Sequence, residues 1–267
     1  MSQSPDSRPA YGPITRTLQL DEARLVSACA ARSSTWREAM AAATSQLTHT
    51  SVGRRRDVAR MALQSVMGCG TREWRPDPLG LALGDTHLPA SRTRGLFAAL
   101  YCLHTPLLRH ALWDLYVPLL DGEGASEGAV TVADWLQWLA ANLVACADGS
   151  LRRTRETQAA MLRKFGYTSG SPASWPVAQR PDPSVFFAAL VGDYRLHRWT
   201  TRGRPYVLGP SGPRSVVLVT RDYAAHCIGW AEQRGLVRLA RVGPDVDVTF
   251  APGDPVQAAV EVVLSGS

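Results

Sequence analysis

From Leu20 to Phe165 the apolar residues recur every three or four positions, segment after segment. That spacing gives each segment a single greasy stripe when it is wound as a helix, and such a stripe has to be buried against another. The segment "LDEARLVSACAA" (20–31) has this form, and "STWREAMAAATSQL" (34–47) follows with Thr35 and Glu38 in the relation of a capping box. In "SVGRRRDVARMALQSVMG" (51–68), Val52, Val58, Met61, Ala62 and Ser65 share one side. A helical hairpin or bundle buries these faces most simply. Residues 69–90, with Gly70, Pro76, Pro78, Gly80, Gly84 and Pro89, read as a long irregular connection. Helices resume at 91–104 and 106–120, where Pro106 suits a first turn and Pro118 a last one. "TVADWLQWLAANLVACA" (131–147), opened by Thr131 and Asp134, is strongly amphipathic, and a helix over 150–165 closes the series. Residues 18–168 are thus expected to form a helical domain, preceded by a Ser/Pro-rich, disordered tail over 1–17.

The pattern then changes. "TSGSPASWPVAQRPDP" (168–183) contains four prolines, and 169–183 reads as a linker. Another helix is expected over 184–199, and a Gly/Pro-rich loop (202–214) holds a short strand candidate, "PYVL" (205–208). The helix 219–235, stopped by Gly235, leads into "LVRLARV" (236–242), the turn "GPD" (243–245) and "VDVTF" (246–250). Helix, glycine, strand, tight turn, strand is the order of a winged helix. The expected fold is therefore mainly α, a helical bundle followed by a smaller winged-helix-like α+β domain over 184–267. No internal repeat is evident.

The helix "SLRRTRETQAAMLRKFGY" (150–167) raises the question of partners, because it carries four arginines and one lysine in eighteen positions. Leu151, Thr154, Gln158, Met161, Leu162 and Phe165 fall on one arc, and Arg152, Arg153, Arg155, Arg163 and Lys164 gather opposite. Glu156 is the only acid among them, so pairing within the helix does not neutralise the cluster. Ser150 or Thr154 can cap its start and Gly166 can end it.

The whole chain is basic. Its 267 residues carry a formal charge of +6, with 45% hydrophobic and 19% charged residues. Lys164 is the single lysine, so 28 of the 29 basic residues are arginine. GC-rich coding would produce that bias, and the guanidinium fork also suits phosphate. Three further patches add to the first: "GRRRDVAR" (53–60), in the first turns of a helix where the backbone dipole attracts anions, "RTR" (92–94), and "RLHRWTTRGR" (195–204). The candidate phosphate-contacting residues are Arg152, Arg153, Arg155, Arg163, Lys164, Arg54, Arg55, Arg56, Arg92, Arg94, Arg198, Arg202 and Arg204. Trp199 and Tyr206 are able to stack but at this spacing also suit a core.

Five cysteines, at 29, 69, 102, 146 and 227, show no CxxC spacing and read as reduced, buried thiols. No signal peptide is visible in the first thirty residues. The apolar stretch 95–120 is broken by His104, Arg109, His110, Asp114 and two prolines, so no membrane association is expected. Together these point to the cytoplasm. There is no GxxxxGK[ST], GxGxxG or HExxH pattern. "GPSGP" (209–213) has prolines where a phosphate loop needs free amides. Cys102, His104 and His110 can be drawn as metal ligands, but two of their three helical spacings miss a common face and no fourth ligand follows. We therefore expect no enzymatic activity, no cofactor and no metal.

The opening helix, "STWREAM", the "RRRDVARMAL" helix, "LPASRTRGLFAALYCLHTPLLRHALWDLYVPLL", "VTVADWL" (130–136) and "SLRRTRETQAAMLRKFGY" together resemble the BrxA family of BREX phage-defence systems. The resemblance covers roughly 18–168 and continues more faintly to 250. It implies a NusB-like helical part with helix-turn-helix or winged-helix features, double-stranded DNA binding without intrinsic catalysis, and work alongside the larger BREX components. The helix 150–165 is the nearest match to a recognition helix. Gln158 faces the core, so backbone and shape recognition is expected over base reading. Three other readings stand beside this one: a scaffold whose basic faces dock on acidic partners, a NusB-like RNA-binding factor, and a transcription regulator. No dimerisation heptad is visible, and the chain is expected to be monomeric alone.

Overall fold

The computed structural model describes residues 17–70, 73–121, 128–143, 146–197, 201–209, 212–242 and 245–265, the side chains of 201–205 and 241–246 excepted. Five helices come first: α1 (Leu20–Ala30), α2 (Trp36–Gln46), α3 (Val52–Ser65), the short α4 (Pro78–Ala82) and α5 (Ala90–Leu103). α6 (Pro106–Ala111) runs through a π turn (Leu112–Tyr116) into α7 (Val117–Asp121), followed by α8 (Val132–Asn142) and α9 (Asp148–Phe165). Two short strands, β1 (Thr168–Ser169) and β2 (Trp175–Pro176), precede α10 (Pro183–His197), β3 (Thr201–Gly203), α11 (Arg204–Val207) and α12 (Pro213–Val217). α13 (Arg221–Gln233), β4 (Val237–Val242), β5 (Asp245–Phe250) and α14 (Pro255–Ser265) complete the order. The protein is mainly helical with a small α+β part, as the sequence predicts.

The chain divides into two units. The smaller is Pro106–Val177, and the larger joins Leu18–Thr105 to Ala178–Ser267. This differs from the expected division into 18–168 and 184–267. The reason lies in α10, whose residues Ser184–Asp193 are all buried: "SVFFAALVGD" is apolar on every side and needs cover all round. α5 supplies one wall, and α12, α13 and α14 supply others. The chain's second half therefore completes the core begun by its first.

Within the larger unit α1, α2 and α3 pack on one another. Thr35 caps α2, its hydroxyl accepting from the Glu38 amide at 3.2 Å, while the Glu38 carboxylate returns to the Ser34 amide at 2.7 Å. On α3 the buried face is Val58, Ala59, Ala62 and Leu63; Val52 is 47% exposed and lies off it. The long connection after α3 contains α4, whose start is capped by the Asp77 carboxylate accepting from the Leu79 amide at 3.0 Å. Three antiparallel strands form a sheet in the order β3-β5-β4, with Leu239 opposite Val248 and Arg202 also opposite Val248 on the other edge. Phe250 of β5 meets Phe187 and Tyr194 of α10 edge-on, at ring distances of 6.1 and 5.0 Å. The strand expected at "PYVL" is displaced upstream to 201–203, and these residues begin in the helical turn α11. Pro205, lacking an N–H, suits the first turn of a helix better than a paired strand.

In the smaller unit α8 packs on α9, and the expected linker instead holds the β1–β2 hairpin, with Ser169 opposite Trp175. A buried polar chain ties it together: the Trp135 indole donates to the Tyr116 hydroxyl at 2.7 Å, and that hydroxyl meets Ser174 Oγ at 2.9 Å. Thr131 and Asp134 form the capping box of α8. Gly166 stops α9 at φ 80°, in the left-handed region glycine occupies freely.

Candidate nucleic-acid interface

α9 separates its two faces as the sequence predicts. Thr154, Thr157, Gln158, Ala159, Met161, Leu162 and Phe165 are buried, whereas Arg152, Arg153, Arg163 and Lys164 are exposed. Arg155 is half-buried and donates from Nη2 to the Pro172 carbonyl at 2.7 Å, fastening the tip of the β1–β2 hairpin to the helix. None of the five cations has an ion pair within 4.0 Å among the described residues. The smaller unit thus presents four unpaired, solvent-facing cations along one helix. Trp175, on the hairpin, adds a ring that is 40% exposed.

The remaining candidates belong to the larger unit. Arg54, Arg55 and Arg56 occupy the first turn of α3, where Ser51 Oγ already accepts from the Arg54 amide at 3.1 Å. Arg54 and Arg55 are half-buried and Arg56 is exposed. Arg55 and Arg56 border a groove of about 380 Å³ whose other wall is Met40, Ala41, Thr44 and Ser45 of α2.

The "RTR" patch does not survive as a surface. Arg94 is exposed, but Arg92 lies inside, only 4% exposed. Its Nε donates to Asp182 at 3.0 Å, and its Nη1 donates to the carbonyls of Val262 and Val263 at 2.6 and 2.9 Å. Residues two apart on a helix point to different sides, so one arginine of the pair had to turn inward. Arg92 closes the carbonyl end of α14 and is removed from the phosphate-contacting set. Burial works to raise the Asp182 carboxyl, but hydrogen bonds from Ser184 and the pairing with Arg92 outweigh it and hold the group below its usual range. Arg198 and Trp199 lie outside the described residues, as do the side chains of Arg202 and Arg204. Tyr206 is a structural residue, its hydroxyl donating to the Asp193 carboxylate at 3.2 Å.

Sequence reasoning misses one cluster. Asp77, 4% exposed, accepts from Arg195 Nη1 at 2.6 Å through Oδ1 and meets His104 Nε2 at 3.2 Å through Oδ2. Burial pushes this carboxyl up; the hydrogen bond and charge of His104, the charge of Arg195 and the Leu79 amide prevail and hold it below the ordinary range. The three side chains line a cavity of about 210 Å³ together with Arg75, Gly68 and Gly192. Gly68 has φ 60°, and a Cβ there would lie 2.7 Å from the His104 ring. His104 and Arg195 lie 27 and 118 positions from Asp77 in sequence, so no local motif announces them. Of the triad Cys102, His104 and His110, the structure brings nothing together: Cys102 is buried, His104 pairs with Asp77, and His110 stacks on Trp113 at 4.4 Å in the other unit.

No family model matches the chain, and no curated protein matches it. Two solved structures do resemble it. One is described as a magnesium ion-bound SspB crystal structure, with a TM-score of 0.62, 12% identity, and coverage of 94% of this chain and 86% of that one. The other, an SspB crystal structure, has a TM-score of 0.59, 11% identity and the same coverages of 94% and 86%. At this identity the likeness concerns the fold. Among the described residues no group of three or more His, Cys, Asp or Glu side chains is placed to hold a metal ion.

Proposed function

We propose that this chain is a non-enzymatic, double-stranded-DNA-binding accessory protein of a bacterial phage-defence system, reading backbone and shape more than sequence. The observation that carries the reading is the row of unpaired cations on α9, Arg152, Arg153, Arg163 and Lys164, on a helix whose other face is locked in a core. Such a row gains by releasing the counterions condensed on a duplex. The succession α10, β3, α12, α13, β4, β5, with the sheet order β3-β5-β4, supports a winged-helix arrangement in the larger unit. Its α13 is less suited to the backbone than α9, because Asp222 and Glu232 share its exposed surface with Arg221 and Arg234. Arg234 is also stacked on Trp230 at 4.5 Å. The defence context, and a place beside the other BREX components, rest on the resemblance of residues 18–168 to the BrxA family.

The test is the salt dependence of duplex binding by fluorescence anisotropy. Each phosphate contact adds about 0.9 to the slope of log affinity against log salt. The triple variant Arg152→Ala, Arg153→Ala, Arg163→Ala should flatten that slope by about 2 to 3 and weaken binding to two unrelated duplexes alike. An unchanged slope removes α9 from the interface. Negligible binding to bare duplex by the folded wild type, with stable retention of an acidic partner, favours the scaffold reading.

A further inference from the structure

The cavity beside Asp77 plays no part in the interface just described. Its chemistry is nevertheless that of a site. One guanidinium group and an imidazole face one carboxylate, Oδ1 taking Arg195 at 2.6 Å and the Leu79 amide at 3.0 Å and Oδ2 taking His104 at 3.2 Å, and a second guanidinium, Arg75, lines the same cavity. Asp77 holds the Arg195 fork and the His104 ring in fixed positions at the wall of the cavity.

Gly68 and Gly192 line the cavity, and their missing side chains let the His104 ring and the Leu103 side chain pack where a Cβ would collide with them. A volume of about 210 Å³ is several times the share of one water molecule in the liquid, roughly 30 Å³. A buried ion pair kept only for stability has no need of an adjoining cavity of this size, whose wall also includes Met67 and Leu196. Arg75, 83% exposed and paired with Glu73 at 2.7 Å, adds a mobile-length cation on the solvent side. Planar, forked donors match the oxygens of a tetrahedral oxyanion.

We propose that this cavity binds a phosphate-class oxyanion, with Arg195 as its direct donor, Arg75 as an outer cation, Asp77 as the positioning residue and His104, bound to Asp77 through Nε2, lining the wall. The site takes inorganic phosphate, a small phosphomonoester or the terminal phosphate of a nucleic-acid strand by the same contacts. It does not depend on the DNA-binding role of α9.

The experiment is isothermal titration of the full chain with inorganic phosphate, a nucleoside 5′-monophosphate, and a short oligonucleotide with either a 5′-phosphate or a 5′-hydroxyl. Saturable binding of phosphate is expected, competed by sulfate and not by chloride. Arg195→Gln should weaken it at least tenfold and Arg75→Gln severalfold, while Arg152→Ala with Arg153→Ala leaves it unchanged. A preference for the 5′-phosphorylated over the 5′-hydroxyl oligonucleotide identifies a strand end as the source, and equal binding of the free mononucleotide identifies a small phosphate. Should Arg195→Gln not fold, Arg75→Gln, on an exposed side chain, and the shift of the His104 Cε1–H resonance during a phosphate titration of the wild type read the same site. Absence of saturable binding, indifference to Arg75→Gln, or a His104 resonance that does not move overturns the proposal.

Discussion

Arg92 shows how composition overstates the charge a fold can show. Arg92, Arg109 and Arg214 are respectively 4%, 8% and 0% exposed, and the buried guanidinium of Arg214 donates to the Val219 carbonyl at 3.2 Å. Each has exchanged water for backbone carbonyls, a carboxylate or an aromatic face, as buried cations must. Replacing Arg92 with Met strands Asp182 and two carbonyls of α14, and should cost about 3–5 kcal/mol in urea denaturation. The same variant, kept below its melting point, should leave the salt slope for duplex untouched. A flattened slope would return Arg92 to the interface. Asp77 gives the matching prediction with pH. Its folded-state value is held below the ordinary 3.8, so the unfolded chain takes up the proton first, and Asp182 behaves the same way. The stability these groups confer is complete above that ordinary value and drains away as pH falls past it toward their folded values. The urea midpoint of the wild type should therefore drop on going from about pH 6 to about pH 3, and Asp77→Asn, already weaker at neutral pH, should drop less over that window. Parallel acid limbs in the two proteins would contradict this.

Elements long enough to show several turns of a period are legible in the sequence. The two faces of α9 and the Gly166 stop follow from spacing and glycine chemistry alone, and so do the Thr35 cap, the Thr131–Asp134 box and the Gly235 stop before β4. Where the period is short the reading fails. α11 and α12 span four and five residues, too few to distinguish a helical turn from a loop. β3 has three residues and is fixed by its pairing with β5, a contact 46 positions away that no local pattern records. α14 does carry a start signal, Asp254 before Pro255, and the Asp254 carboxylate accepts from the Val256 amide at 2.8 Å. On α3 the buried stripe is rotated by one position, to Ala59 and Leu63, because small residues tolerate either register and packing against α1 and α2 decides. The candidate site divides along the same line. α9 is visible because a core face and a charged face lie on one helix, and the Asp77 cavity is invisible because its members are gathered from the segment before α4, the end of α5 and α10.

At the scale of the molecule the order of elements along the chain and their grouping in space diverge. Every residue of α5 from Leu96 to Leu103 is buried, and part of that cover comes from α10 and α12, which lie far along the chain. Sequence pattern places a boundary near 169–183 because proline accumulates there, whereas the chain changes unit twice, after Thr105 and after Val177. Proline content marks where helices cannot continue; it carries no record of which helices share a core. The consequence is testable by truncation. Residues 18–168 alone keep α1 to α9 but lose α10, α12 and α14, so the apolar flank of α5 is left in water at roughly 25 cal/mol per Å² of uncovered surface. We expect that fragment to retain helical far-ultraviolet dichroism, to bind a hydrophobic dye, and to melt without a cooperative transition, whereas the full chain melts cooperatively. A sharp thermal transition in the fragment, with no dye binding, would show that the first half closes its own core and that α10 is an addition to it.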